Sequence, residues 1–412
     1  MHTNPDASTQ FGAILPRLCI VSETFFPEPG GTPTQCRCLL EGWRSRGGEA
    51  RVLTRRTQAA WPRKDSYAGY PVTRVGPTGQ GALKKWALLL TLIPSLLRNL
   101  READVIFVPG FRVIGLTVLL VAVPFRKKVV FRAVSCGELD GSFFSSGLDR
   151  QPGWIRRAFG CFLSVRKALF RKADLFVAIS SDIENEYLRG GIPEERIVRI
   201  PNGVDLEEFH PLDAFQREKL AEQLGLKSAS VRLVYTGRLV RYKGLIPLLE
   251  AWRRIAADWP EAQLILVGEG GNDTHNCEQE LHDFVQQNGL EGSVVFTGRQ
   301  PRVADWLQVS DIFLFPTENE AFGISLIEAM ACGLPAVSTE VGGVKDIVGD
   351  SGFARVVSPG DVEGFVREIQ VLLEDESLRG RMGARARELA VGRYGNEAVT
   401  AQYVRAFGQE AR

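Results

Sequence analysis

A chain of 412 residues, 44% hydrophobic and 24% charged, is too long to close around one core and has the composition of a globular protein. Its formal net charge of +1 hides an asymmetry: residues 1–203 hold 29 Lys and Arg against 17 Asp and Glu, a balance of +12, and residues 204–412 hold 21 against 32, a balance of −11. The seven cysteines, an odd and dispersed set with no zinc spacing, argue against a disulfide framework or a structural zinc site and for buried thiols in a reducing compartment.

The first 17 residues lack the continuous apolar core of a signal peptide, and the tail to about residue 15 is expected to be disordered. Short apolar runs then alternate with helical patterns. Buried strands are expected at Arg17–Ser22, Ala50–Thr54, Val105–Val108, Lys128–Arg132 and Leu175–Ile179. Two longer apolar runs, Trp86–Leu97 (interrupted by Pro94) and Val113–Phe125, fall short of the ~17–25 residues of a spanning helix, so any membrane contact is peripheral. Pro201 and Asn202-Gly203 punctuate the chain, and the rhythm restarts with strands at Val231–Tyr235, Leu264–Val267, Val294–Thr297, Ile312–Phe315 and Ala336–Thr339. Strands so short and so apolar imply parallel sheets covered on both faces, hence two doubly wound α/β domains that bind ligands at the carboxyl ends of their strands. The division reads as 1–202, 203–388 and a last segment, 389–412, expected to return to the first domain.

The loops after these strands carry the chemistry. Gly30-Gly31 after the first strand lets backbone approach a ligand ahead of a helix. Arg238 and Lys243, in the loop after Val231–Tyr235, are two cations able to neutralise a diphosphate. Gly268 ends the next strand, and Arg299 and Gln300 the one after, where polar groups suit a nucleobase edge. Glu320 and Glu328 are separated by seven residues, with Phe322-Gly323 marking a turn and Ile324 opening a helix. That places one carboxylate before the helix, one about a turn inside it, and free backbone N–H groups between them: a seat for phosphate flanked by acceptors for sugar hydroxyls.

From about Leu18 to Tyr403 the sequence resembles the retaining glycosyltransferases of family 4. The resemblance is carried by Gly30-Gly31, Gly48–Thr54, Ala173–Ser180, Ile200–Asp205, Gly237-Arg238-Leu239 with Lys243-Gly244, and most specifically Glu320 to Glu328 followed by Ala329–Pro335. It implies the GT-B fold, two Rossmann-like domains facing each other across a cleft. It also implies a retaining, metal-independent hexosyltransferase that needs no cofactor beyond its nucleotide-sugar donor. By the same resemblance Arg238 and Lys243 hold the diphosphate, the backbone around Phe322, Gly323 and Ile324 assists, Glu320 serves the donor sugar, Glu328 the ribose, and Arg299 the base. The acceptor, a carbohydrate or a lipid-linked one, binds mainly to the N-terminal domain, in glycolipid or cell-surface polysaccharide synthesis. Many relatives have a His where this chain has Cys136, so the sugar-side role is not carried to that residue. A nucleotide-sugar-binding subunit without activity is the alternative, and a nucleotide-sugar 2-epimerase a more distant one.

The basic half suits an anionic surface or a phosphate-bearing ligand, with no nucleic acid among its expected partners. Trp154–Lys172, and Leu83–Arg101 with Lys84, Lys85 and Trp86 at its start, mix aromatic or apolar side chains with cations at helical spacing. Each suits either a helix lying on the inner face of an anionic membrane or a core helix with a basic outer face, in a protein expected to be cytoplasmic.

Overall fold

The structure, a computed structural model, describes residues 15–79, 82–142, 153–227, 231–349 and 351–408. The expected tail up to about residue 15 and the side chains of Lys84, Lys85 and Trp86 lie outside the described residues. Among the described residues the apolar runs form strands of two separate sheets. The chain divides into two units: Met1–Ala178, Ile183–Ile200 and Thr400–Arg412 form the first, and Ile179–Asp182 with Pro201–Val399 the second. Both are parallel-sheet α/β domains of Rossmann type.

The first unit contains β1 (Leu18–Ser22), β2 (Ala50–Arg55), β3 (Lys64–Tyr67), β4 (Tyr70–Val75), β5 (Val105–Pro109), β6 (Lys128–Arg132), β7 (Leu175–Ala178) and β8 (Ile197–Arg199). Their order across the sheet is β3-β4-β2-β1-β5-β6-β7-β8. All neighbours are parallel except β3 with β4, a hairpin at the edge. That hairpin was not expected from the sequence: Lys64-Asp65-Ser66-Tyr67 is polar and mostly exposed, and Pro71 stands near the start of β4, ahead of its pairing with β2 from Val72, where a missing donor is tolerated. The helix Ala82–Leu100 runs through Pro94. Leu88, Leu92, Leu96 and Leu100, one turn apart, are all buried, and this stripe offsets the ~3 kcal/mol that an interior proline costs. Beneath the sheet Phe111 stacks on Phe131 at 4.6 Å, with Phe170 and Phe176 packed edge-on around them.

The second unit contains β9 (Val231–Thr236), β10 (Ala262–Val267), β11 (Val294–Gly298), β12 (Ile312–Phe315), β13 (Ala336–Thr339) and β14 (Ala354–Val357), in the order β11-β10-β9-β12-β13-β14 and parallel throughout. β9 and β10 pair from Val231 with Ala262 to Thr236 with Val267, every residue of both strands buried. Fully buried parallel strands read as near-continuous apolar runs, here broken only by Arg232, Thr236 and Gln263, which is why the sequence located them. The chain builds outward from β9 to β11 and then returns to β12 beside β9. Loops after β9 and β12 therefore leave the sheet in opposite directions and open a crevice at the strands' carboxyl ends. In the first unit the same reversal falls between β1 and β5.

Among the described residues no helix is long and apolar enough to cross a membrane. All seven cysteines are free thiols.

The end of the chain is packed rather than trailing. Tyr403 and Phe407 lie against Phe107 of β5, Phe407 also meets Trp43, and Lys128 Nζ donates to the carbonyls of Ala406 and Phe407 at 3.1 Å. Removing a buried ring of this kind costs about 3–5 kcal/mol. Phe407→Ala should lower the unfolding free energy of the full chain by about 3 kcal/mol in urea; a loss below about 1 kcal/mol would contradict this packing.

Candidate functional site

The crevice of the second sheet is lined by two loops that carry opposite charges. After β9 the chain turns at Gly237 and passes Arg238, Tyr242 and Lys243 before Gly244, at φ +67°, opens the helix Leu245–Ile255. After β12 it runs through Pro316 to Gly323, whose φ of +111° opens the helix Ile324–Ala331. The loops are joined through backbone, Glu318 N–H donating to Tyr242 C=O at 2.9 Å, and through side chains, Lys243 Nζ reaching Glu320 Oε2 at 2.6 Å. The other Glu320 oxygen accepts from the N–H groups of Ala321 and Phe322 at 3.1 and 3.4 Å. Glu320 is thus fixed from two directions in a mostly buried setting.

A third loop locks this arrangement. Gly343 N–H donates to Glu320 C=O at 3.1 Å, and a Cβ on Gly342, itself at φ +52°, would stand 2.0 Å from that oxygen. Gly268 serves a similar contact: a Cβ there would stand 1.8 Å from Gly237 C=O. The room these glycines leave is taken by neighbouring backbone, which brings the strand-end loops together.

The helix Ile324–Ala331 has no side-chain cap at its N-terminus, so its first N–H groups face the loop end of the crevice. Phe322 is buried, its ring 6.1 Å from that of Tyr394, and anchors the turn. Glu328 lies within this helix as a half-buried residue. Burial, helped by the nearby charge of Glu208, pushes its carboxyl from an ordinary 4.5 up to about 8.

Arg238 does not join the Lys243–Glu320 pair. Its guanidinium contacts the Asp273 carboxylate and donates to Tyr242 Oη at 2.6 Å. Arg299 follows β11 and stands 3.8 Å from Glu269 in an exposed pair. Gly30, Gly31 and Cys136 belong to the first unit. Gly30, at φ +140°, precedes the helix Gly31–Arg44, and Cys136 is exposed in the loop after β6. Two buried carboxylates shape that loop: Glu138 accepts from the N–H groups of Val134, Ser135 and Arg112, and Glu186 from those of Gly137 and Leu139. Arg166 crosses beneath, donating to the carbonyls of Leu139, Arg112 and Glu138. Burial raises both carboxyls above their usual range and lowers Arg166 to about 10.

Sequence reasoning missed Asp273, Glu269, Tyr242, Glu138 and Glu186. The first two sit in a Gly-rich run that reads as a plain turn, and a buried carboxylate in a loop leaves no periodic signal.

Comparison with known proteins agrees with this architecture. Residues 216–389 match the model for glycosyl transferases group 1, and residues 30–203 that for the glycosyl transferase 4-like domain. The chain carries both domains of this family and belongs to it. It is 31% identical over 234 residues to the N-acetyl-alpha-D-glucosaminyl L-malate synthase of Bacillus anthracis, 56% of this chain and 58% of that protein. It is 30% identical over 266 residues to the D-inositol 3-phosphate glycosyltransferase of Xylanimonas cellulosilytica, 63% of each chain. The matched stretches therefore span less than two thirds of either relative. Its structure resembles Anabaena HepE, solved with UDP and glucose, at a TM-score of 0.74 and 22% identity, covering 96% of this chain and all of that one. At that identity the likeness shows the shared GT-B fold.

The raised Glu328 carboxyl makes a signed prediction. The fold holds this proton up to about pH 8, the unfolded chain only to about 4.5, so stability falls as pH rises between those values. Glu328→Gln removes that loss. Its melting curves should match the wild type near pH 4.5 and show a gain of up to about 3 kcal/mol near pH 7. A difference independent of pH would contradict the burial of this carboxyl.

Proposed function

We propose that the chain is a retaining, metal-independent hexosyltransferase that takes its sugar from a nucleotide-diphosphate sugar. One observation carries the reading: Lys243 and Glu320 meet at the strand reversal of the second sheet, beside an uncapped helix start, with Arg238 on the same loop and Glu328 one turn into the helix. Lys243, Arg238 and the N–H groups near Gly323 and Ile324 suit a diphosphate. Glu320 is placed to turn from Lys243 to the donor sugar, where a carboxylate stabilises positive charge developing at the anomeric carbon. Glu328 accepts from ribose hydroxyls, and Arg299 faces the base.

In the reaction the bond from the anomeric carbon to the diphosphate breaks and its electron pair leaves with the phosphate. The acceptor oxygen bonds the same face, and the acceptor proton passes to the departing phosphate oxygen. Protein cations take up the charge that a metal ion would otherwise hold.

The acceptor is a carbohydrate or a lipid-linked one, presented at the cytoplasmic face of an anionic membrane. The helix Gly153–Phe170 supports that placement. It carries no Asp or Glu, its Arg156 and Arg157 are exposed, and so are Trp154, Phe162 and Val165. A second reading, donor binding without transfer, is favoured by the exposed Cys136 where many relatives have His.

The test is transfer from UDP-, GDP- and ADP-hexoses to a crude lipid extract, UDP-hexoses first because HepE is solved with UDP. Nucleoside diphosphate should be released with sugar in the lipid fraction. Donor binding with no transfer or hydrolysis supports the second reading, and no donor binding overturns both. Glu320→Gln should cut transfer about 100-fold or more while donor affinity changes only a few-fold. Transfer at the wild-type rate in that variant removes Glu320 from the chemistry. In flotation with vesicles rich in anionic lipid at low salt the chain should rise with the lipid and be released as salt is raised. A chain left at the bottom of the gradient argues against membrane placement.

A further inference from the structure

Each of the three cations assigned to the donor is held by a carboxylate of the chain itself. Lys243 pairs with Glu320 at 2.6 Å, Arg238 with Asp273, and Arg299 with Glu269 at 3.8 Å. Three cations and three carboxylates leave the group with no net charge, in the half of the chain whose balance is −11. A diphosphate therefore binds here in competition with carboxylates.

The three partners differ in what else they can do. Glu320 has the donor sugar to turn to. Asp273 has no such alternative and is built in place. Its Oδ1 accepts from His275 N–H at 3.0 Å, and its carbonyl accepts from Asn276 N–H at 3.1 Å. The same loop is tied by Gly270 N–H to Glu278 at 2.8 Å and by the Asn276 amide to Gly271 C=O at 2.9 Å. The Asp273 side chain is 19% exposed and that of Arg238 58%, so the guanidinium is the partner free to move. Tyr242 Oη, 2.6 Å from the other guanidinium nitrogen, guides the arm and carries no charge to oppose a phosphate.

We propose that Asp273 is the residue that sets how tightly the nucleoside diphosphate is held. It yields Arg238 to the diphosphate of the donor and competes for it again once the sugar has gone, which weakens the hold on the product and speeds its release. The proposal rests on the reading of Arg238 as a diphosphate ligand. It makes Asp273 a positioning residue, since it acts through Arg238.

The competing carboxylate and a purely supporting one predict opposite results. Asp273→Asn removes the charge and keeps an oxygen for His275 N–H, so the loop retains its bonds. Titration calorimetry should show the nucleoside diphosphate binding about three- to fivefold more tightly than to the wild type. In steady-state transfer kcat and KM for the donor should fall together, as expected when product release slows. Asp273→Ser should shift both in the same direction, and melting temperatures identify either variant that does not fold. Unchanged or weaker binding in both variants overturns the role of Asp273. A wild-type chain that binds none of UDP, GDP, ADP, CDP and dTDP overturns the donor-site reading itself, a different result from a failure confined to the variants.

Discussion

The reversal of strand order in the second sheet is the constraint on which the site depends. Because β12 returns to the side of β9, the loops that follow these strands diverge, and each can carry a charge that the other loop needs. Lys243 comes from one and Glu320 from the other. Their ion pair is mostly buried, where a charge without its partner is costly, so the two loops hold each other in position. Gly342 and Gly343 bring the loop after β13 against the Glu320 backbone at distances that a side chain would forbid. The geometry of Glu320 thus follows from backbone contacts among three loops.

The carboxylates around this crevice are unequal because their surroundings differ. Glu320 has an ammonium group and two N–H donors. Glu328 is raised to about 8 by burial and by the charge of Glu208. A helix position that disfavours a bare carboxylate reduces stability above pH 4.5. In the first unit burial likewise raises Glu138 and Glu186, but there the carboxylates accept backbone N–H groups and fix the loop that bears Cys136. Similar chemistry thus lines a strand-end crevice in one unit and fixes loop shape in the other.

Much of the fold was legible in the sequence. Lys128–Arg132, Ile312–Phe315 and Ala336–Thr339 begin and end where the sequence placed them, since strands buried on both faces read as largely hydrophobic runs between helical patterns. Strands at or next to a sheet edge leave a weaker trace. β3 is polar, β4 contains Pro71, and β8 has only three residues. The Leu83–Arg101 pattern did become a helix, Ala82–Leu100; at Pro94 local chemistry argued for a break, and burial of one leucine stripe prevailed.

The sequence by itself determined the parallel α/β character of both sheets and the charge difference between the halves of the chain. It also placed Glu320 before a helix and Glu328 inside it, because these are consequences of local pattern and composition. The tertiary structure alone decided which charges meet. Lys243 finds Glu320 across 77 residues, Arg238 finds Asp273 across 35, and Glu186 reaches Gly137 across 49. Contacts at such separations are set by sheet order and loop closure, and no local pattern along the chain encodes them.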